Sequence, residues 1–101
     1  MTYYTMELIK APNQKFNVNI GENNFAFVLS TFRGILFVSV YINTELIQGS
    51  IVATPNKSLF SDAVNNKAGG KFEFIVPSND YPNYNMFDGL SCVFAYIPSE
   101  A

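Results

Sequence analysis

The 101-residue chain contains no histidine, which removes the usual general base at neutral pH and the commonest metal ligand. Zinc sites and Ser-His-Asp or Cys-His catalysis are thereby excluded on inventory. What remains for proton or nucleophile chemistry is one thiol, Cys92, and the carboxylates Glu7, Glu22, Glu45, Asp62, Glu73, Asp80, Asp88 and Glu100. The carboxylates form no close cluster in sequence. Paired acid–base work needs two of them converging on one bond, so they read as solvated charges of strands and loops. Cys92, in Leu90-Ser91-Cys92-Val93-Phe94, has no neighbouring base or cation to lower its pKa and reads as a small buried hydrophobe. A single cysteine also forms no internal disulfide.

Two motif-like triplets carry little. Gly69-Gly70-Lys71 lacks the earlier glycine, the following Ser or Thr and the helix of a phosphate loop, and is read as a hairpin turn. Asn56-Lys57-Ser58 matches a glycosylation sequon. It is discounted because Met1-Thr2-Tyr3-Tyr4-Thr5 has neither the basic nor the apolar segment of a secretory signal. Tyr81, Tyr84 and Tyr96, with prolines near them, either line a groove for a peptide or sugar or pin a loop to the body of the protein. No cofactor and no metal are expected.

Composition narrows the partners. Charged residues are 14% of the chain, about half the usual quarter, and the six cationic ones are scattered, so there is no footprint for a nucleic-acid backbone. The longest apolar run, Ile35-Leu36-Phe37-Val38, ends at Ser39, far short of the roughly 20 residues of a spanning helix. Neither nucleic acid nor membrane is an expected partner, and the chain is expected to stay in the cytosol where it is made. Twelve asparagines supply polarity without charge, which suits turns and neutral faces. A surface this poor in charge is also one that partners in an assembly can cover.

The elements that position these residues follow from period-two alternation, the mark of strands with one buried face. Phe16, Val18 and Ile20 alternate with Lys15, Asn17 and Asn19; Gly21-Glu22-Asn23-Asn24 turns the chain; Phe25, Phe27 and Leu29 continue the apolar face. Residues 15–31 thus form a β-hairpin. Ile35–Ile42 is apolar on both faces and belongs centrally, with Ile35, Phe37 and Tyr41 on one face and Leu36, Val38 and Val40 on the other. Asn43-Thr44 leads into a strand from Glu45 to Ala53. Ser58–Val64 is one turn of helix or a tight loop carrying Leu59 and Phe60 inward. Phe72, Phe74 and Val76 alternate again, proline makes Pro77–Asn85 a loop, and the last strand runs from Leu90 to Ile97. Residues 1–101 are therefore expected to form one all-β domain, a small antiparallel β-barrel or sandwich of six or seven short strands without a convincing amphipathic helix. Ten phenylalanines, at roughly 2–3 kcal/mol per buried ring, supply most of its hydrophobic stabilisation.

The order of motifs carries a resemblance. Leu8-Ile9-Lys10-Ala11-Pro12-Asn13-Gln14-Lys15-Phe16-Asn17-Val18 resembles the opening of the phage baseplate plug family, where a short first strand leads through Pro-Asn-Gln into a phenylalanine and an alternating strand. The likeness continues through Pro55-Asn56 before Leu59, Gly69-Gly70-Lys71-Phe72-Glu73-Phe74, and Tyr81-Pro82 ahead of Phe87, and ends on a strand like Leu90–Tyr96. It implies a structural, non-enzymatic virion protein of a contractile tail, placed at the centre of the baseplate between hub and tube or wedge proteins, with Pro12, Asn13, Gln14, Phe16, Gly69, Gly70, Phe72, Tyr81, Pro82 and Phe87 as family positions. Physically, Pro12-Asn13-Gln14 is a corner: proline fixes φ and the asparagine amide bonds nearby backbone. Ile35, Phe37 and Tyr41 are the candidate contact residues, and self-association through exposed strand edges is a further expectation. A small β-barrel module binding sugar or peptide through Tyr81 and Tyr84, and a phage-encoded inhibitor of a host protein, remain as alternatives.

Overall fold

The computed structural model describes residues 3–99; Met1, Thr2, Glu100 and Ala101 lie outside the described residues. Seven strands are present: β1 (Tyr4–Met6), β2 (Gln14–Ile20), β3 (Asn23–Phe32), β4 (Ile35–Ile42), β5 (Glu45–Val52), β6 (Gly70–Ile75) and β7 (Val93–Pro98). They make two antiparallel sheets, a meander β2-β3-β4-β5 and a three-stranded sheet β1-β7-β6. No strand ladder joins β1 to β2 or β5 to β6 among the described residues, so the structure selects the sandwich over the closed barrel. The β5 to β6 side is spanned instead by the connecting segment. In it Pro55 bridges Phe74, and the Asn56 and Leu59 amides donate to the carbonyls of Phe74 (2.8 Å) and Phe72 (3.0 Å).

Alternation places the core as the residue pattern requires. Phe25, Phe27 and Leu29 of β3 and Leu36, Val38, Val40 and Ile42 of β4 are buried from one sheet, and Phe72, Phe74 and Phe94 from the other. Phe27 stands edge-on to Phe72 (5.0 Å between ring centres) and to Phe94 (5.1 Å), the arrangement that the ring quadrupoles favour. Phe60, reached inward from the connecting segment, stacks on Phe27, and Phe87 stacks on Phe74. Phe16 is partly buried, whereas Phe32 and Phe37 point away from the core.

Four expectations change. The first turn is Gly21-Glu22 alone, because Ile20 pairs with Asn23 and the two asparagines begin β3. The helical segment is α1 (Asp62–Ala68), displaced from Ser58–Val64 and two turns long. Its buried residues, Val64 and Ala68, are a single i, i+4 pair around two asparagines, too brief a pattern to show a helical period. Gly69-Gly70 is not a hairpin turn: Gly69 (φ +68) is the left-handed cap of α1, its N–H donating to Asn65 O. Gly70 opens β6 where any Cβ would meet the Ile97 carbonyl oxygen and lie 2.8 Å from Pro98 Cα. The last strand starts at Val93, since Leu90 and Ser91 are held in a loop by Asp88.

Two local features carry measurable energy. The hairpin turns Arg33-Gly34 and Asn43-Thr44 have positive φ at both residues, the pattern of two-residue turns whose twist matches that of strands. Thr44, at φ +71, holds a β-branched side chain in a region where it is disfavoured. Asn56 (φ +54) uses its side-chain amide as a piece of backbone: Nδ2 donates to Val76 O and Oδ1 accepts from Val76 N–H, both at 2.8 Å. The sequon asparagine is thus a clamp between the crossing segment and the end of β6.

Thr44→Gly is expected to raise stability by about 0.5–1 kcal/mol, read from the urea midpoint, the strain relieved exceeding the added freedom of the unfolded chain. Asn56→Ala is expected to lower stability by about 1–2 kcal/mol in the same measurement, because it leaves the Val76 N–H unpaired and removes one of the two donors to Val76 O, which keeps the bond from Asn79 N–H.

Candidate functional site

The candidate contact residues lie on β4, and the pairing of β4 with β3 and β5 decides which face they occupy. Leu36, Val38, Val40 and Ile42 turn inward and are buried, so Ile35, Phe37 and Tyr41 form the outward face that the sequence left undecided. In register with them, Phe32 pairs with Ile35 and Ser30 with Phe37 on β3, while Val52 pairs with Phe37 and Leu46 with Tyr41 on β5. Phe32 is 63% exposed, Leu46 52%, Ile35 47% and Val52 44%. One half of the outer sheet face is therefore an apolar surface, larger than an incidental exposed side chain. The Arg33 guanidinium lies 5.3 Å from the centre of the Phe32 ring and supplies a cation at its rim.

Phe32, Leu46 and Val52 were not singled out from sequence. For Phe32 the signal existed, since alternation from Phe25 puts Val28 and Phe32 on related sides only once the residue after Leu29 is followed to the turn. For β5 it did not, because register shifts beside Val38, Val40 and Tyr41 break the period. There Ser50 takes φ +49 and its N–H donates to Ser39 Oγ at 2.8 Å in place of a ladder bond.

The residues that carried the resemblance are spread through the structure. Gln14 exchanges hydrogen bonds with Ile9, Oε1 accepting from Ile9 N–H (3.1 Å) and Nε2 donating to Ile9 O (2.8 Å). Asn13 Oδ1 accepts from Thr31 N–H, and Pro12 O accepts from Thr31 Oγ1 at 2.7 Å. The corner thus ties the start of β2 to the end of β3. Phe16 packs against Phe27 and Phe94, and Phe72 and Phe87 are buried. Pro82 is buried and Tyr81 exposed; with Gly34, Ile35, Val52 and Asn83 they line a hollow of about 250 Å³ beside the apolar face. Tyr96 lies elsewhere, its hydroxyl donating to Ala68 O and its ring stacked on Tyr4. Tyr81 and Tyr96, weighed together as a groove, therefore lie at different hollows.

The titratable groups act on the chain itself. Asp88 Oδ1 accepts from the backbone N–H groups of Ser91 (2.7 Å) and Leu90 (2.8 Å), and Oδ2 from Ser91 Oγ. These bonds, the Ser91 amide first, hold its carboxyl down at about 2. Burial pushes the Cys92 thiol up to about 12, and the nearby Asp88 charge adds to it. Among the described residues no three His, Cys, Asp or Glu side chains are placed to hold a metal ion, and no helix is long and apolar enough to cross a membrane. Since the folded Asp88 pKa lies below its ordinary 3.8, its contribution is complete above about pH 4 and is lost as pH falls through about 2. The Leu90 and Ser91 amide resonances are expected to titrate with that low midpoint. Cys92 is expected to react with iodoacetamide near pH 8 at least about a hundredfold more slowly in the native protein than in urea.

The fold and this face can be set beside known proteins. A comparison with curated proteins gave no match. The family model described as cyanophage baseplate Pam3 plug gp18 matches residues 2–100, so that every element from β1 to β7 and both halves of the sandwich fall within the match. The chain belongs to the cyanophage baseplate plug family.

Proposed function

We propose that this protein is a structural component of a contractile phage tail, a plug packed between hub and tube or wedge proteins of the baseplate, and that it performs no catalysis. The observation that carries this reading is the uncovered apolar half of the outer sheet face, Phe32, Ile35, Phe37, Tyr41, Leu46 and Val52, in a chain of a baseplate family. Antiparallel sheets ordinarily alternate apolar-in and polar-out. On β2 this chain does so, and on β4 and β5 it places apolar residues on the outside. Aromatic and aliphatic anchors on a stiff sheet lose little conformational freedom on docking, which is why aromatics are enriched in contact surfaces. The hollow beside Tyr81 and Pro82 opens at the edge of the same face, giving a neighbouring side chain a place to enter. A virion location in the tail baseplate, after synthesis in the host cytoplasm, follows from the same reading.

The opposed faces of β4 provide the test. Phe37→Lys, on the outside, is expected to leave the β-sheet circular dichroism spectrum and the urea midpoint close to wild type while removing the protein from purified tails, giving non-infectious particles. Val38→Lys, facing the core, is expected to prevent folding, since an unpaired buried ammonium costs several kcal/mol. Normal infectious particles carrying Phe37→Lys in wild-type amounts would refute the docking role of this face.

A further inference from the structure

Four strand edges bound the two sheets, and the chain treats them unequally. β1 is three residues long. β5 is irregular in register and carries Ser50 at positive φ. β6 is covered where Pro55 bridges Phe74 and the Asn56 and Leu59 amides donate to it. Shortness, irregularity and cover are the ordinary means of keeping an edge from pairing with another chain. Among the described residues β2 has none of them: Gln14–Ile20 runs seven residues without proline, its register with β3 is unbroken, and no other strand lies beyond it.

Which backbone groups of β2 face outward follows from the hairpin. Asn24 directs its N–H and C=O toward Asn43 on the β4 side, so its neighbour Asn23 faces β2 and forms the hydrogen-bonded pair with Ile20. Alternation then assigns Ile20, Val18, Phe16 and Gln14 to the β3 ladder and turns the N–H and C=O groups of Lys15, Asn17 and Asn19 outward. Among the described residues no backbone hydrogen bond reaches these outward groups. Asn17 is the midpoint of the strand and one of its outward residues.

We propose that two copies of this chain pair antiparallel through β2 about a two-fold axis at Asn17, joining their four-stranded sheets into one of eight strands. This goes beyond the docking role of the β4 and β5 face, using a different edge and a second copy as the occupant. The register satisfies all three outward residues at once: Asn17 meets Asn17 of the second copy, and Lys15 meets its Asn19. No like charges face each other, which would destabilise a cross-strand pair. The two lysines, the charged residues of β2, stand about 13 Å apart at about 3.3 Å per residue, beyond the roughly 8–10 Å over which salt leaves them unscreened. On the inner face, Phe16 of one copy lies opposite Val18 of the other. Val18 is at the rim of a hollow of about 270 Å³ lined by Tyr4, Thr5, Met6, Ile20 and Tyr96 between β1 and β2, so apolar surface is covered along with the backbone.

Cysteine scanning tests both the pairing and its register. In a hydrogen-bonded antiparallel pair the Cα atoms are about 5.5 Å apart, within disulfide reach, and buried Cys92 does not compete. Asn17→Cys is expected to oxidise in air to a covalent dimer with a yield at least about tenfold above that of Lys15→Cys or Asn19→Cys alone. Mixing the last two is expected to give the heterodimer. Sedimentation of the unmodified chain should show a dimer that Asn17→Pro, which removes an outward N–H and the exposed side-chain bond to Asn24 but no ladder bond to β3, converts to a folded monomer. Phe37→Lys should keep the dimer, which separates this edge from the docking face. Cross-linking of Asn17→Cys no faster than of Lys15→Cys, or a dimer lost in Phe37→Lys and kept in Asn17→Pro, would overturn the proposal.

Discussion

The edge-on contact of Phe27 with Phe72 and Phe94 is what makes two sheets into one protein. Since no strand ladder connects them, the hydrogen bonds that stiffen each sheet do nothing to hold it against the other. That adhesion comes from rings and aliphatic side chains buried between the layers, where removal from water is worth roughly 25 cal/mol per Å² and ring geometry adds direction. Every buried residue of the core is apolar. With no buried charge or hydrogen-bonded network to impose register between layers, the fit of the phenylalanines must do so.

An open sandwich has two seams, and the connecting segment after β5 serves one of them. It leaves β5 with the Ala53 amide donating to Leu36 O, bridges β6 at Pro55, and returns Ser61 N–H to Gln48 Oε1 of β5 at 3.0 Å. α1 then packs Val64 and Ala68 beneath it. Among the described residues the seam between β1 and β2 has no such cover. The asymmetry arises because the crossing from one sheet to the other is made once in the middle of the chain, whereas the other crossing, residues 7–13, is folded into the Pro12-Asn13-Gln14 corner at the start of β2.

The outer face of the larger sheet is divided by residue type in a way that serves an assembly. On the β2 side Asn17 and Asn19 bond to Asn24, so asparagines of the polar half satisfy part of their hydrogen-bonding capacity among themselves. On the β4 and β5 side exposed aliphatic and aromatic residues take over. Few formal charges then need to be desolvated when a neighbour docks, and desolvating charge is the term that most often cancels the gain of a protein contact.

How much of this was legible in sequence depends on the range of the interaction that sets each feature. Alternation along Phe16–Ile20, Phe25–Leu29 and Phe72–Val76 is a property of neighbouring residues, so the strands, their inward faces and the all-β class were readable directly, as was the buried character of Cys92. α1 was not, because two buried residues in seven make no period and the helix depends on contacts with the sheet and on Gly69. The family positions could be read as a series, but only the tertiary structure shows that Gly70 is glycine because Ile97 and Pro98 crowd it. It also shows that Asn56 clamps Val76, twenty residues away. The outward face of β4 was undecidable locally, since Ile35, Phe37 and Tyr41 are as apolar as Leu36, Val38 and Val40. Pairing with β3, whose Phe25, Phe27 and Leu29 leave no doubt which side is the core, settled it. Periodicity along the chain determined which residues share a face; which face meets the other sheet was decided by partners distant in sequence.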